Sequence, residues 1–183
     1  MKKIISVLCV LILMGCAAKG NTPSEQRSAI QKMSQQVLND VYKASPGARS
    51  KVKSSAGYAT FTNAQINLIF MAAGGGYGMV HNNRTGANTY MNMGEAGIGF
   101  GLGAKDFRVV FVFHTAKALN DFVNNGWAFG AEADAAAKAG DKGGQVSGGV
   151  TIGDITVYQL TENGLALQAT VKGTKYWKNS DLN

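Results

Sequence analysis

The side chains that could support catalysis are few, and their spacing matches no reaction centre. His81 and His114 are the two histidines, and neither has a carboxylate or second histidine at ligand spacing. A metal site needs three or four converging ligands. Glu132 and Asp134 would share one face of a strand, but a lone pair of carboxylates is typical of a solvated surface. Neither a Gly-x-Ser-x-Gly elbow nor a phosphate-binding Gly-x-x-x-x-Gly-Lys motif is present. The sequence therefore predicts a protein that is not an enzyme and has no metal site or cofactor.

The two thiols, Cys9 and Cys16, lie at the amino terminus. Lys2 and Lys3 precede an apolar run over residues 4–14, and Gly15 precedes Cys16. This order of charged, apolar and small residues is typical of a secretory signal peptide. The apolar run is too short to span a bilayer as a helix, which takes about 20 residues. Because both cysteines fall in this segment, the remaining chain has neither a disulfide nor a cysteine nucleophile.

The four residues that end with Cys16 read Leu-Met-Gly-Cys and resemble the lipobox of bacterial lipoproteins. The resemblance implies cleavage after residue 15 and diacylation of Cys16. We predict a signal peptide over residues 1–15, a short flexible tether over 16–24 and a single domain over 25–183. An ordinary signal peptide that happens to end in cysteine, or a retained anchor helix, is the alternative. Residues 17 and 18 are alanines, without the aspartate that retains some lipoproteins in the inner membrane, which favours the outer membrane.

The chain is basic, and its cations fall in two groups. Its formal net charge is +7, and +7 less Lys2 and Lys3 leaves +5 after cleavage. A positive surface favours anionic partners such as lipid head groups, and nucleic acid is not expected outside the cytoplasm. Lysines beside Tyr and Trp suit a lipid interface, and a solvated charged strand edge is the alternative. The candidate lipid-binding residues are Lys43, Arg49, Lys51 and Lys53 in the first group and Lys172, Lys175, Tyr176, Trp177 and Lys178 in the second.

Periodicity predicts the elements that must position these groups. Apolar residues recur at helical spacing from Ser24, a predicted N-cap, to about Ala44, where Ser-Pro-Gly ends the helix. That apolar stripe is expected to pack on the core, although it could instead lie on a membrane. The pattern then becomes strand-like. A second helix is predicted between Thr115 and Gly126.

The strand predictions are less uniform. We predict strands over 58–62, 66–72, 79–82, 87–93 and 106–113, with the glycine run 74–78 as an interruption. The run 109–113 is wholly apolar and predicts a strand buried on both faces. Glycine alternates with apolar residues over 97–103, which indicates a strongly curled sheet, or a ligand against bare backbone. Residues 127–138 are ambiguous and are assigned as strand. Residues 151–160 and 165–171 are predicted to form a hairpin across Glu162-Asn163-Gly164. The predicted fold class is α+β, a curled antiparallel sheet or partial barrel with one N-terminal and one internal helix.

The order of four segments resembles the SYLF domain family. They are residues 56–61, the glycine run with its strand over 74–80, residues 95–103 together with 108–122, and the hairpin over 163–173. The resemblance covers about residues 45–183. It implies phospholipid binding without catalysis, and actin binding is attributed to eukaryotic relatives. An extracytoplasmic bacterial protein is not expected to meet actin.

Together these observations predict a membrane-anchored bacterial lipoprotein with a non-enzymatic domain that binds anionic phospholipid. Its expected location is the cell envelope, at the outer membrane, facing the periplasm or the surface. The alternative is an envelope lipoprotein that binds a protein partner and touches the membrane through its acyl chains alone.

Overall fold

A computed structural model describes residues 18–69, 71–97, 101–129, 145–146, 149–161, 164–166 and 174–183. Within them are three helices, α1 (Pro23–Ala44), α2 (Gly47–Ser54) and α3 (Ala116–Asn125). The longer strands are β1 (Gly57–Ile69), β2 (Met71–Asn82), β3 (Asn88–Gly97), β4 (Gly101–Phe113) and β8 (Ile155–Thr161). The shorter ones are β5 (Trp127–Phe129), β6 (Gln145–Val146), β7 (Gly149–Ile152), β9 (Gly164–Ala166) and β10 (Thr174–Lys178).

All described strands join one sheet, and every described pair is antiparallel. The strand order is β5-β10-β3-β2-β1-β4-β8-β7-β6, with β9 paired to β8. Helices α1 and α2 precede the sheet in sequence, and α3 follows β4. The predicted α+β class is confirmed.

The sheet is strongly curled. Tyr176 on β10 lies three strands from β1 and four from β4, which in a flat sheet would be about 14 and 19 Å. Yet its ring centroid is 4.7 Å from that of Phe61 on β1 and 5.2 Å from that of Phe111 on β4. Side chains so far apart along the strand order can meet only if the sheet bends around them. The predicted curl is therefore confirmed.

Both faces of the sheet are covered by helices. On one side, the α3 face, buried Phe61, Phe111 and Tyr176 pack with Phe122 of α3. On the other side, the α1 face, α1 packs along its length. Its C-terminal half contacts the cluster around Val110 and Tyr158, and its N-terminal half contacts Met79 and Tyr90. Residues 109–113 of β4 are completely buried, as predicted, because alternate side chains enter the two clusters.

The glycine run does not interrupt its strand. Strand β2 runs from Met71 to Asn82, and Gly76 and Gly78 pair in register with Asn63 and Phe61 of β1. A Cβ on Gly78 would lie 2.1 Å from the Thr60 carbonyl oxygen and 2.4 Å from the Phe61 ring. Glycine here permits a close strand and ring approach, so the predicted break is wrong. The predicted strands 58–62 and 66–72 also differ from the structure, because residues 58–69 belong to one strand, β1, and residues 71–72 already belong to β2.

Three other predictions differ in detail. The predicted strand 151–160 is two strands, β7 and β8, because Gly153 turns the chain with a φ of +53°. The predicted hairpin is found where Leu160 pairs with Leu165, and residues 167–171 of its second strand lie outside the described residues. In the ambiguous segment 127–138, residues 127–129 form β5, and the remainder lies outside the described residues. Residues 98–100 of the alternating glycine segment also lie outside them.

Helix α1 begins earlier than predicted, at a capping box. The N-cap is Thr22 rather than Ser24, Pro23 occupies the first turn, and the Thr22 side chain accepts from the Glu25 amide. The Glu25 carboxylate accepts from the backbone amides of Asn21 and Thr22 at 2.8 and 3.1 Å. These backbone hydrogen bonds lower the pKa of Glu25 below its ordinary value of 4.5.

This cap predicts a pH dependence. Because the pKa of Glu25 is lower in the folded chain, the carboxylate stabilises it above pH 4.5 and loses that contribution as the pH falls through the folded pKa. We expect the loss of unfolding free energy between about pH 6 and pH 3 to be smaller in Glu25→Gln than in the wild type. Urea unfolding at both pH values measures this loss of free energy. Gln35→Glu, at an exposed position of α1, is the control, because it adds an acid to the same helix away from the cap. Identical pH profiles in Glu25→Gln and the wild type would contradict the assignment.

Candidate functional site

The first basic group lies on α2 and the end of α1. Lys43, Arg49 and Lys53 are exposed and Lys51 is half-buried, whereas Ala48 and Val52 of α2 are buried. Burial of those two apolar residues turns the cations outward. The Arg49 guanidinium sits 4.6 Å from the centroid of the Tyr42 ring, a cation–π contact. Helix α2 was not predicted, because its eight residues are too few to show helical periodicity.

Helices α1 and α2 together form a positively charged cover, which we call the helical layer (residues 23–54). It carries six cations, Arg27, Lys32, Lys43, Arg49, Lys51 and Lys53, against the acids Glu25 and Asp40, a net charge of +4. Both acids are engaged. Glu25 caps α1, and Asp40 pairs with Arg108 of β4 at 2.5 Å. The other described ion pair, Lys117–Asp121, lies on α3. Neither described ion pair uses a cation of the helical layer.

Two tyrosines next to the first basic group stay uncharged. Burial raises the pKa of Tyr42, which the Arg49 charge partly offsets, and burial also raises the pKa of Tyr58. The Tyr58 ring stacks on His81 with centroids 5.2 Å apart. At neutral pH these phenols remain protonated, so they contribute no negative charge beside Arg49.

The second basic group is divided by its strand. Tyr176 is fully buried on the α3 face, so its predicted contact with lipid is wrong. Lys175 and Trp177 alternate with it and point to the opposite side, the α1 face, where both are exposed. Lys178 donates to Asn124 of α3 at 3.0 Å. Lys172 lies outside the described residues.

Strand β10 is also not a sheet edge. It lies between β3 and β5, and Lys175 is in register with Gly94 on one side and Ala128 on the other. The alternative interpretation, a charged edge that prevents strand pairing, is therefore wrong for this segment.

The structure does not bring the two basic groups together. Gln26 of α1 lines the same cleft as Trp177, and Lys43 lies 17 residues further along that helix. At a rise of about 1.5 Å per residue the separation is roughly 25 Å. The two groups occupy opposite ends of α1.

The amino-terminal residues are packed at the Trp177 end. Ala18, predicted to belong to a flexible tether, is buried with Ile30 and Leu182. The Arg27 guanidinium donates to the Leu182 carbonyl at 2.9 Å, which fixes the start of α1 to the carboxyl-terminal residues. Cys16 lies two residues before Ala18, and two residues can span at most about 7 Å.

Among the residues that the structure describes, the remaining polar groups do not assemble a reaction centre. His114 Nε2 bonds Thr156 Oγ1 at 2.8 Å, and His81 Nδ1 bonds Asn88 Oδ1 at 2.7 Å. A second cleft, of about 460 Å³, lies between α3 and the β7–β8 turn and contains Lys117, Asp121 and Asp154. The described residues contain no group of three potential metal ligands. Glu132 and Asp134 lie outside the described residues.

Comparison with known proteins gives two similarities. Residues 94–183 match the family described as Ysc84, Las17-binding protein actin regulator. The chain is also 32% identical to Beta cell expansion factor A of Aeromonas veronii over 164 residues, and these residues make up 88% of this chain. The match covers 60% of the length of that relative. In the described part of the chain, no helix combines the length and apolar character needed to cross a bilayer.

Proposed function

We propose, from the membership of residues 94–183 in the Ysc84 (SYLF-domain) family, that this chain is a membrane-anchored bacterial lipoprotein. Its domain binds anionic phospholipid and catalyses no reaction. The family description refers to binding and regulation rather than to a reaction. The bacterial relative supports the same assignment for a bacterial chain.

The observation that carries the proposal is the charge of the helical layer. The six cations of this layer have no described carboxylate partner. Its two acids are engaged, Glu25 as the cap of α1 and Asp40 as the partner of Arg108. The layer therefore has a net charge of +4. Near an anionic leaflet each such cation contributes about 1 kcal/mol to binding. The face opposite carries the Lys117–Asp121 pair and Asp154 instead, so the two sides of the domain differ in charge.

The lipid anchor would act on the side of the domain that carries the helical layer. Cys16 precedes Ala18 by two residues in the sequence, and Ala18 packs beside Ile30 of α1. Two acyl chains give stable anchoring, because each buried methylene contributes about 0.8 kcal/mol. An anchor at this position holds α1 near the leaflet and raises the local concentration of head groups at Lys43 and Lys53. The proposed location is the outer membrane of the cell envelope.

Vesicle co-sedimentation tests the head-group interaction. All described helices, strands and buried clusters lie within residues 18–183, so a chain that begins at Ala17 contains the described fold without Cys16. We expect this chain to bind vesicles of phosphatidylglycerol but not of phosphatidylcholine, and to dissociate as salt rises from about 0.05 to 0.5 M. Equal binding to both vesicles, or none, would refute phospholipid recognition.

Mass spectrometry tests the anchor separately. Protein purified from bacterial membranes is expected to begin at Cys16 and to carry the mass of its acyl groups. A Cys16→Ser chain should lack that mass and should leave the membrane fraction. An unmodified amino terminus, or cleavage at another residue, would refute the lipoprotein assignment while leaving the vesicle result intact.

The second candidate is a protein-binding envelope lipoprotein, which the family's description as Las17-binding favours. It predicts no vesicle binding by the chain that begins at Ala17, together with one partner protein recovered by crosslinking in intact cells. An envelope location separates this chain from actin.

A further inference from the structure

A cleft at the start of α1 has a floor without side chains. Gly75 of β2 and Gly94 of β3 are directly paired across the two strands. Both belong to the α1 face, because Met79, which packs under α1, has the same strand parity as Gly75. The cleft has a volume of about 400 Å³, within the range of about 300–1,000 Å³ typical of small-molecule sites.

Apolar residues form much of the walls of this cleft. Trp177 leans over the floor, since a Cβ on Gly94 would lie 3.1 Å from its Cη2 atom. The Trp177 side chain is nevertheless 42% exposed, and it is the large hydrophobic residue that the described surface leaves open. Ile30 and Leu182 also line the cleft, and both are buried in the cluster beneath α1. The shape suits an extended hydrocarbon chain lying on bare backbone.

The three amide side chains in the lining, Gln26, Asn92 and Asn179, form hydrogen bonds with other protein groups. Asn179 donates to the Asn92 side chain at 3.0 Å, and its own oxygen accepts from the amides of Asp181 and Leu182. Gln26 donates to the Gly20 carbonyl. These bonds engage Asn179, Asn92 and Gln26 with protein partners, which reduces the hydrogen bonding that they offer to a ligand.

A cation stands at the margin of the floor. Lys175 is in register with Gly94 and lies two residues from Trp177 on the same side of β10. It is exposed and takes part in neither described ion pair. None of the described residues that line the cleft is acidic. An apolar slot with one unpaired cation at its margin complements a hydrocarbon chain that ends in an anion.

We propose that this cleft binds a free single-chain anionic amphiphile, of the class of long-chain fatty acids. The alkyl chain lies over Gly75 and Gly94 against Trp177, and the carboxylate meets Lys175. This site is distinct from the first basic group, because Lys43 of that group lies roughly 25 Å further along α1 from Gln26 in the lining of the cleft. The two proposals therefore stand or fall separately.

Tryptophan fluorescence tests the proposal without vesicles. Trp127 and Trp177 are the two tryptophans, so Trp127→Phe in the chain that begins at Ala17 leaves Trp177 as the reporter. Titration with dodecanoate below its micelle concentration should give a saturable blue shift. Dodecanol, which has no charge, should bind about tenfold more weakly. Calorimetric titration of the chain with both tryptophans gives the same affinities and does not depend on the folding of Trp127→Phe.

Two substitutions with matched controls locate the site. Gly94→Ala fills the floor and should weaken dodecanoate binding at least about fivefold, whereas Gly47→Ala, at an open position, should change it less than about twofold. Lys175→Gln should remove the preference for dodecanoate over dodecanol. Lys178→Gln, on the same strand but bonded to α3, should retain it.

The proposal is overturned by a titration that does not saturate, or by unchanged binding in Gly94→Ala. It is also overturned if natively acylated protein fails to bind while the chain from Ala17 binds, because the acyl group of Cys16 would then occupy the cleft. Vesicle binding by the helical layer affects none of these results.

Discussion

Replacing Tyr176 with alanine is expected to lower the free energy of unfolding by about 3–5 kcal/mol, in the range of large aromatic truncations in packed cores. The ring is fully buried and packs against three others, with centroids 4.7 Å from Phe61, 5.2 Å from Phe111 and 5.5 Å from Phe122. These partners come from two strands and a helix. Truncation therefore leaves a cavity at the place where the curled sheet closes on α3.

The neighbouring Trp177 provides the matched control. It is one residue away, points to the other face and is 42% exposed. Trp177→Ala is expected to cost less than about 1 kcal/mol, as is usual for substitutions at partly exposed sites. Urea unfolding followed by circular dichroism measures both variants, with equal m values indicating that the denatured states are comparable. Similar losses in the two variants would contradict the division of β10 into a buried and an open side.

Neutralising Lys43 and Lys53 together is expected to weaken binding to anionic vesicles about 30-fold. Each cation near an anionic leaflet contributes about 1 kcal/mol, and about 1.4 kcal/mol corresponds to tenfold in affinity. Both side chains are exposed and engage in neither described ion pair. Their substitution by glutamine should leave the fold intact, because neither lysine is among the buried residues of α1 or α2.

A second double variant separates a specific surface from net charge. The double variant Lys117→Gln, Lys178→Gln also removes two positive charges, but from the side of the domain that carries α3. We expect it to change vesicle binding less than about threefold. Co-sedimentation with phosphatidylglycerol vesicles at fixed salt compares the two proteins. Equal loss in both would mean that overall charge alone drives the interaction, and the helical layer would lose its assigned role.

The candidate site was only partly accessible to sequence analysis. The cations of the first group are identified by type and position, and the structure leaves Lys43, Arg49 and Lys53 exposed. In the second group, Tyr176 and Trp177 are equally suited to a lipid interface as residue types. The register of β10 against β3 makes one of them core and the other surface, and a register depends on a partner strand more than 80 residues away.

The cleft was also only partly predictable, because glycine-rich segments are visible in the sequence but their pairing across strands is not. Bare backbone against a ligand was one interpretation of the alternating glycines over 97–103. The described glycine floor instead pairs Gly75 with Gly94, two residues from different strands. Such a pair is visible only once the strands are aligned, because nothing in either segment specifies its opposite residue.

What the sequence determined by itself is local. The apolar stripe of α1, the cap and terminal glycine of α3, and the buried run of β4 each follow from residues within one element, since propensity, capping and periodicity act over a few neighbours. The tertiary structure decided what depends on distant partners. It made the glycine run of β2 continuous with its neighbours, curled the sheet until Tyr176 met Phe61, and held the two basic groups apart along α1. Packing and strand register join residues that are remote in the chain, and these long-range contacts fix which side chains face solvent.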